Sequence, residues 1–350
     1  MPPKLYSPAA SLNLPPLVFY FAGTAFPPYA LLTLKHSVAV WGSKVVMLHD
    51  GSYPDTVKGV ISELFRDWYE PDDFKAFVEK SPLDPGFRDG FWFHTAERLF
   101  VINQWAEKEE LNALAHAELD VLLFSPVESF ARNDSWGKGI FYPAGTENHA
   151  GASFIYLNER RALTEMLEFF VENSSRGDEM HLLWDFLFSG SSVAHQLPSH
   201  TFFENRGVAQ ASHSALTPAQ TGGVFDVQPL GTWILGQDPR NTPKAPHFNH
   251  VWLEQIGSRV LANLRFSFNP FTKTLRVGRK FEQKTPVLAL HVHSKKISWV
   301  TNPLTFAILV AVANLPFSTP LAWKNTPKFF FQLGKKKFDL LYLWVRAARK

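Results

Sequence analysis

Residues 116–124 read His-Ala-Glu-Leu-Asp-Val-Leu-Leu-Phe, an acidic pair set inside an apolar run. In an extended strand alternate side chains share a face. This spacing therefore predicts His116, Glu118 and Asp120 on one side and Ala117, Leu119 and Val121 on the other. Two carboxylates about 7 Å apart on a buried strand are costly to desolvate unless a cation neutralises them. Mg²⁺ and Mn²⁺ are hard ions that take carboxylate oxygens and usually a substrate phosphate as well. Glu118 and Asp120 are thus candidate metal ligands. A second group, His291-Val292-His293-Ser294-Lys295, ends an apolar run that starts at Val287. Alternation predicts His291, His293 and Lys295 on one face. A neutral ring nitrogen of either histidine can complete a metal's coordination. Lys295 can meet a phosphate as a point charge.

The elements that must position these groups are legible upstream. Pro16 to Gly23 is a short apolar run ending in small residues, and a helix is predicted over Ala30–Val40. Lys44–Leu48 reads as a second strand, followed by His49-Asp50-Gly51. Strand, helix, strand with polar loops predicts a parallel α/β sheet. Ligands of such sheets bind beyond the carboxyl ends of the strands. Ala22, Gly23, Thr24 and Asp50 are predicted there. Asp226 lies between Gly222-Gly223 and Pro229, which predicts a loop, where functional carboxylates concentrate. It joins Asp178, Glu179, Asp185 and Asp238 as a candidate catalytic carboxylate. A core helix is predicted over 305–315, begun near Asn302-Pro303 and stopped at Pro316. The glycines at 137, 139, 231 and 236 read as isolated loop glycines.

Composition narrows the classes. At 350 residues with 45% hydrophobic and 19% charged residues, the chain has the make-up of a globular protein with a sizeable core. Cysteine is absent, which excludes disulfides, thiolate nucleophiles and zinc-thiolate sites. No phosphate-loop motif, dinucleotide-binding glycine fingerprint or nucleophile elbow is present. No apolar run reaches the roughly 20 residues a spanning helix needs. Residues 324–350 carry eight Lys or Arg against Asp339 alone, interleaved with aromatic and aliphatic residues. That pattern predicts a peripheral contact with anionic membrane, at about 1 kcal/mol per basic residue. The positive charge is confined to this end and no recognition motif accompanies it, so nucleic acid is not an expected partner.

The order of these segments resembles the GT-A class of glycosyltransferases, especially the glycogenin-like and lipopolysaccharide galactosyltransferase-like group. In that group a helix, matched here by Glu97–Ile102, lies just before an Asp-x-Asp strand, matched by Glu118-Leu119-Asp120 with Glu in place of the first Asp. An Asn-Ala-Gly-strand-Asn segment follows, similar to Asn148 through Asn158, then a helix, here over 159–172. Asp178-Glu179 loosely resembles the next, Asp-Gln-Asp, element. His291 to Lys296 looks like the group's closing His…Gly…Lys segment, without its Gly and its Pro-Trp. The resemblance implies that Arg98, Asn148 and Gly151 contact the nucleotide sugar. It also implies that Asp178 or Glu179 faces the donor sugar or the reaction centre.

The expectation is therefore an α/β, GT-A-like (Rossmann-type) fold: a mixed, mostly parallel sheet flanked by helices, with a C-terminal helical basic extension. Residues 1–300 are expected to form the nucleotide-sugar-binding and catalytic domain, with 195–250 an acceptor-side loop insertion. Residues 301–350 form the extension. The expected function is metal-dependent transfer of a sugar from a nucleotide-sugar donor to a glycan or lipid-linked acceptor, in the cytoplasm at the inner face of a membrane. The competing expectations are a non-catalytic glycan- or nucleotide-binding protein of the same fold, and a metal-dependent phosphotransfer or hydrolytic enzyme.

Overall fold

The computed structural model describes residues 14–41, 44–124, 136–145, 148–199, 215–235, 264–279, 281, 283–292 and 295–314. Within them a seven-stranded sheet is built from β1 (Leu17–Phe21), β2 (Val45–His49), β3 (Val60–Leu64), β4 (Leu114–Ala117), β6 (Ile140–Pro143), β7 (Phe154–Leu157) and β8 (Ala194–Leu197). A second sheet takes β5 (Val121–Leu123), β9 (Val224–Phe225), β10 (Leu264–Asn269), β11 (Thr274–Arg279) and β12 (Thr285–His291). The helices are α1 (Pro28–Trp41), α2 (Asp72–Lys80), α3 (Phe91–Lys108), α4 (Arg160–Asn173), α5 (Glu179–Phe188), α6 (Pro218–Thr221), α7 (Pro229–Leu235), α8 (Ile297–Thr301) and α9 (Pro303–Ala313).

The large sheet has the order β3-β2-β1-β4-β7-β6-β8. Its β3, β2, β1 and β4 run parallel, as do β6 and β8, while β7 is antiparallel to both β4 and β6. The mixed, mostly parallel sheet expected from the sequence is present. Strands β1 and β2 are continuous apolar runs because helices cover both faces. Val18, Tyr20, Val46 and Leu48 point into a core shared with α3, α4 and α5. Leu17, Phe19, Val45 and Met47 point to the other side, where Ala30, Leu34 and Trp41 of α1 pack. This two-sided burial fixes the register, since a one-residue slip would exchange the two faces.

The second sheet is antiparallel along β10-β11-β12-β5, with β9 parallel to β12. Its face is covered by α7, α8 and α9 through Leu230, Ile234, Ile297, Val300, Phe306 and Val310. Phe306 stacks on Phe124 at 5.9 Å and meets Phe268 edge-on at 4.8 Å. Core packing thus runs through residue 300, where the sequence suggests a boundary. The predicted core helix is α9, and it starts at Asn302-Pro303 as expected. The basic segment 324–350 lies outside the described residues, as do 200–214 and 236–250 of the expected insertion. Among the described residues no helix is long and apolar enough to cross a membrane.

One expectation fails in an informative way. Residues 116–124 are not one strand: β4 ends at Ala117, Glu118-Leu119-Asp120 turns, and β5 starts at Val121 in the other sheet. His116 stays inside, 2% exposed, with Nδ1 on the Val18 carbonyl at 3.0 Å. It therefore does not share a face with Glu118 and Asp120. Burial, then the nearby Arg98, lowers its pKa to about 3, so it is a neutral core histidine. The turn moves the carboxylates from a strand face to the seam between sheets, where Asp120 is still buried and the desolvation is offset by cationic neighbours.

Candidate active site

Three neighbours pin the backbone of the Glu118–Asp120 turn. Glu118 N–H donates to the Ser153 carbonyl at 3.2 Å and the Thr33 hydroxyl of α1 donates to the Leu119 carbonyl at 2.6 Å. Val292 N–H, just past β12, donates to the Asp120 carbonyl at 2.7 Å. Antiparallel pairing of β5 with β12 sets Val121 opposite His291 and Leu123 opposite Ala289. The last residue of β12 therefore arrives beside the acidic turn, although the two are 171 positions apart in sequence.

Within this seam, single ligand atoms of Glu118, Asp120 and His291 all lie within 4.8 Å of one another. Asp120 Oδ2 is 3.0 Å from His291 Nε2 and accepts from Lys295 Nζ. Glu118 Oε2 is 3.7 Å from the same imidazole nitrogen, while its Oε1 accepts from Arg98 Nη1. Arg98 Nη2 donates to Glu179 Oε1 at 2.6 Å. Lys295 also lies over the Tyr29 ring, 5.9 Å from its centre. Two carboxylates and an imidazole form a mixed oxygen-nitrogen donor set. Glu118, Asp120 and His291 therefore fit a divalent ion.

The electrostatics follow from burial and partners. Burial would raise the Asp120 pKa, but Lys295 and His291 outweigh it and hold the carboxyl well below the usual range. Burial likewise opposes ionisation of Glu118, and Arg98 first, then His291, pulls its pKa down. Burial lowers the His291 pKa, yet Asp120 and then Glu118 raise it to about 9. Glu179 is pushed up to about 7 by burial, against the pull of Arg98.

Supporting contacts orient the ring of His291. Its Nδ1 lies 2.6 Å from the Val227 carbonyl, which can only accept, so Nδ1 carries a proton and Nε2 faces the carboxylates. Asp226 lies in the loop between β9 and α7, as expected, but it is not displayed there. It is fully buried, and its two oxygens accept from Leu230 N at 3.0 Å, Gly231 N at 2.8 Å and His291 N at 3.3 Å. Burial raises its pKa to about 6, against those backbone donors. Gly231, read as a loop glycine, sits inside α7, where a Cβ would stand 1.8 Å from the His291 carbonyl oxygen. Gly151 is a packing glycine too, because its Cβ would be 2.6 Å from Val227 Cγ1.

The remaining predicted residues are placed apart from this cluster. Gly23 N–H donates to Asp50 Oδ2 at 2.9 Å, tying the loop after β1 to the loop after β2, at the carboxyl ends expected. Ala22 packs at the edge of the core shared with α3 and Thr24 is exposed. Asn148 is exposed, with a left-handed φ of 65°. Asp178 caps α5, accepting His181 N at 3.1 Å and pairing with His181 Nδ1 at 2.8 Å. His293 lies outside the described residues. Thr33, Tyr29 and Val227 were not singled out from the sequence. Two of them act through a backbone carbonyl, theirs or a partner's, and such bonds leave no mark in residue type.

No protein-family model and no curated protein matches the chain. Solved structures do. Mouse xyloside xylosyltransferase 1 matches at 12% identity over 55% of this chain and 90% of its own, with a TM-score of 0.40. The galactosyltransferase LgtC, solved with donor and acceptor sugar analogues, matches at 12% identity over 91% of this chain and 99% of its own, with a TM-score of 0.39. A glycosyltransferase involved in glycosylating the major capsid of PBCV-1 matches at 12% identity over 52% and 81%, with a TM-score of 0.31. All three are glycosyltransferases. Identities and TM-scores this low assign no activity to this chain, and its chemistry is argued from the site itself.

Proposed function

We propose that the chain is a metal-dependent glycosyltransferase that moves a sugar from a nucleotide-sugar donor to a glycan or lipid-linked acceptor. The observation that carries this reading is the meeting of Glu118, Asp120 and His291, within 4.8 Å, at a seam that also holds Lys295. Asp120, His291 and one oxygen of Glu118 would hold Mn²⁺ or Mg²⁺. When bound, such an ion supplies Lewis-acid stabilisation of charge on a leaving diphosphate. Lys295 contributes a cation on the same side of Asp120 and is suited to a phosphate oxygen. Asp226 and the Val227 carbonyl hold the His291 backbone and ring, so their role is orientation. Gly23 and Thr24, in the loop after β1, and Asn148, between β6 and β7, are assigned to the nucleotide sugar. Of Asp178 and Glu179 at the start of α5, Asp178 is the carboxylate assigned to the sugar side, since Glu179 is buried against Arg98.

A thermal-shift series of nucleotide sugars with and without Mn²⁺ tests this without an acceptor. A ligand that binds only the native state at a hundredfold excess over its dissociation constant adds about 2.7 kcal/mol of stability. A manganese-dependent shift with one nucleotide sugar is expected. Absence of any shift in folded protein would sink the proposal. Metal-dependent release of nucleoside diphosphate on adding acceptor separates an enzyme from a binding protein of the same fold. Cleavage of a simple phosphodiester without acceptor would point instead to hydrolytic chemistry.

A further inference from the structure

Glu118 occupies the position where the resembled group has aspartate, and the structure shows what its extra methylene reaches. Its Oε1 meets Arg98 Nη1, while Oε2 stays on the His291 side at 3.7 Å from Nε2. The other end of the guanidinium is held in turn, since Arg98 Nη2 donates to Glu179 Oε1 at 2.6 Å. Arg98 is 8% exposed and Glu179 2% exposed, so this chain of charges is largely withdrawn from water. A buried charge persists only where partners satisfy it, and a planar fork can serve two carboxylates where an ammonium cannot hold the same geometry. Both Nη groups of Arg98 are committed, and its Nε is buried without a hydrogen-bond partner. Arg98 therefore touches the seam through Glu118.

We infer that Arg98, itself anchored by Glu179, is a positioning residue that draws one oxygen of Glu118 aside and presents the other to the metal position shared with Asp120 and His291. The inference rests on the metal-site reading above. It explains the glutamate: an aspartate, shorter by one carbon–carbon bond of about 1.5 Å, would not span from Arg98 to the ligand cluster. Substitutions in groups that orient metal ligands commonly cost 10- to 100-fold in metal affinity.

The test is the Mn²⁺ dissociation constant of the full chain without nucleotide, measured by calorimetry, with melting temperature recorded alongside. Glu118→Asp keeps every charge and offers a good metal ligand, yet is expected to weaken Mn²⁺ binding roughly tenfold or more. Arg98→Lys is expected to do the same. In a Glu118→Ala background Arg98→Lys should cost nothing further, because Arg98 then has no ligand to position. A general field or folding effect of Arg98 would instead add to the loss. Wild-type Mn²⁺ affinity in Glu118→Asp, or additive losses in the double variant, would overturn the positioning role while leaving the metal site standing. If the wild-type chain binds no Mn²⁺, or Asp120→Ala binds as well as wild type, the metal-site reading falls and this inference falls with it.

Discussion

Two carboxylate groups at strand ends show opposite uses of the same chemistry. At the end of β2, Asp50 accepts from Gly23 N at 2.9 Å, Ser52 Oγ at 2.8 Å and Ser52 N at 3.3 Å, with Arg66 at 3.4 Å. Burial would raise its pKa, but these donors, Gly23 first, lower it. Local neutral donors take up most of its lone pairs, so this carboxylate works as a loop lock. At the end of β4, Glu118 and Asp120 have carboxylates facing one imidazole, and two side-chain cations converge on them, Arg98 from α3 and Lys295 from the loop after β12. A carboxylate satisfied mainly by neutral backbone and hydroxyl donors does structural work, whereas buried carboxylates held chiefly by cationic side chains from distant parts of the chain mark a place where a cation can enter. Asp226 belongs with Asp50 by this criterion, despite its nearness to the cluster.

That contrast can be broken or sharpened experimentally. The largest effect is expected from Asp120→Ala, which should abolish transfer and the Mn²⁺-dependent thermal shift together. Turnover like wild type in that variant would remove the metal-centre side of the comparison. Gly231→Ala comes next. A methyl group driven into the His291 carbonyl should destabilise by about 1–3 kcal/mol, typical of overpacking, and should also weaken Mn²⁺ binding by moving the ring. Denaturant titration and calorimetry on one preparation would show whether both losses occur. Asp50→Ala should cost about 1–3 kcal/mol through its unsatisfied backbone donors and leave Mn²⁺ affinity unchanged. A tenfold loss of metal affinity there would erase the distinction between lock and ligand.

The smallest effect concerns the Asp178–His181 pair that caps α5. The Asp178 hydrogen bond raises the His181 pKa against the opposing effect of burial. His181 therefore stabilises the fold below its unfolded value of about 6.5, and this is lost as pH rises through the raised folded value. Burial opposes ionisation of Asp178, but the His181 contacts lower its pKa, so its contribution is present above about 3.9 and fades as pH falls through the lowered value. The stability difference between wild type and His181→Asn should be greatest near pH 5–6 and shrink as pH rises through the raised folded value. A difference that grows with rising pH would contradict the pairing.

Much of the scaffold was legible because burial writes itself into sequence. β1 and β2 are unbroken apolar runs since both of their faces are covered, and α9 declares its start through Asn302-Pro303. The acidic pair and His291 were legible as residue types. The sheet switch at 118–120 was not, because the period-two alternation of His116, Glu118 and Asp120 continues in the letters while the backbone leaves one sheet for another. Gly231 was misread for a related reason: a glycine demanded by close approach of two backbones looks the same as one demanded by a turn. Arg98 was picked out, but its partners Glu118 and Glu179 could be joined only once α3, the seam and α5 were seen to converge.

The 171-position gap between Asp120 and His291 also has a consequence for how the chain reaches its final state. Contacts this distant in sequence carry a large loop-closure cost and tend to form late, after local helices and the early parallel strands have paired. The acidic turn is synthesised long before the strand that delivers its imidazole and ammonium partners. Until β12 docks, Glu118 and Asp120 are two anions without His291 or Lys295, so under the proposed function manganese affinity would gauge whether the second sheet has closed.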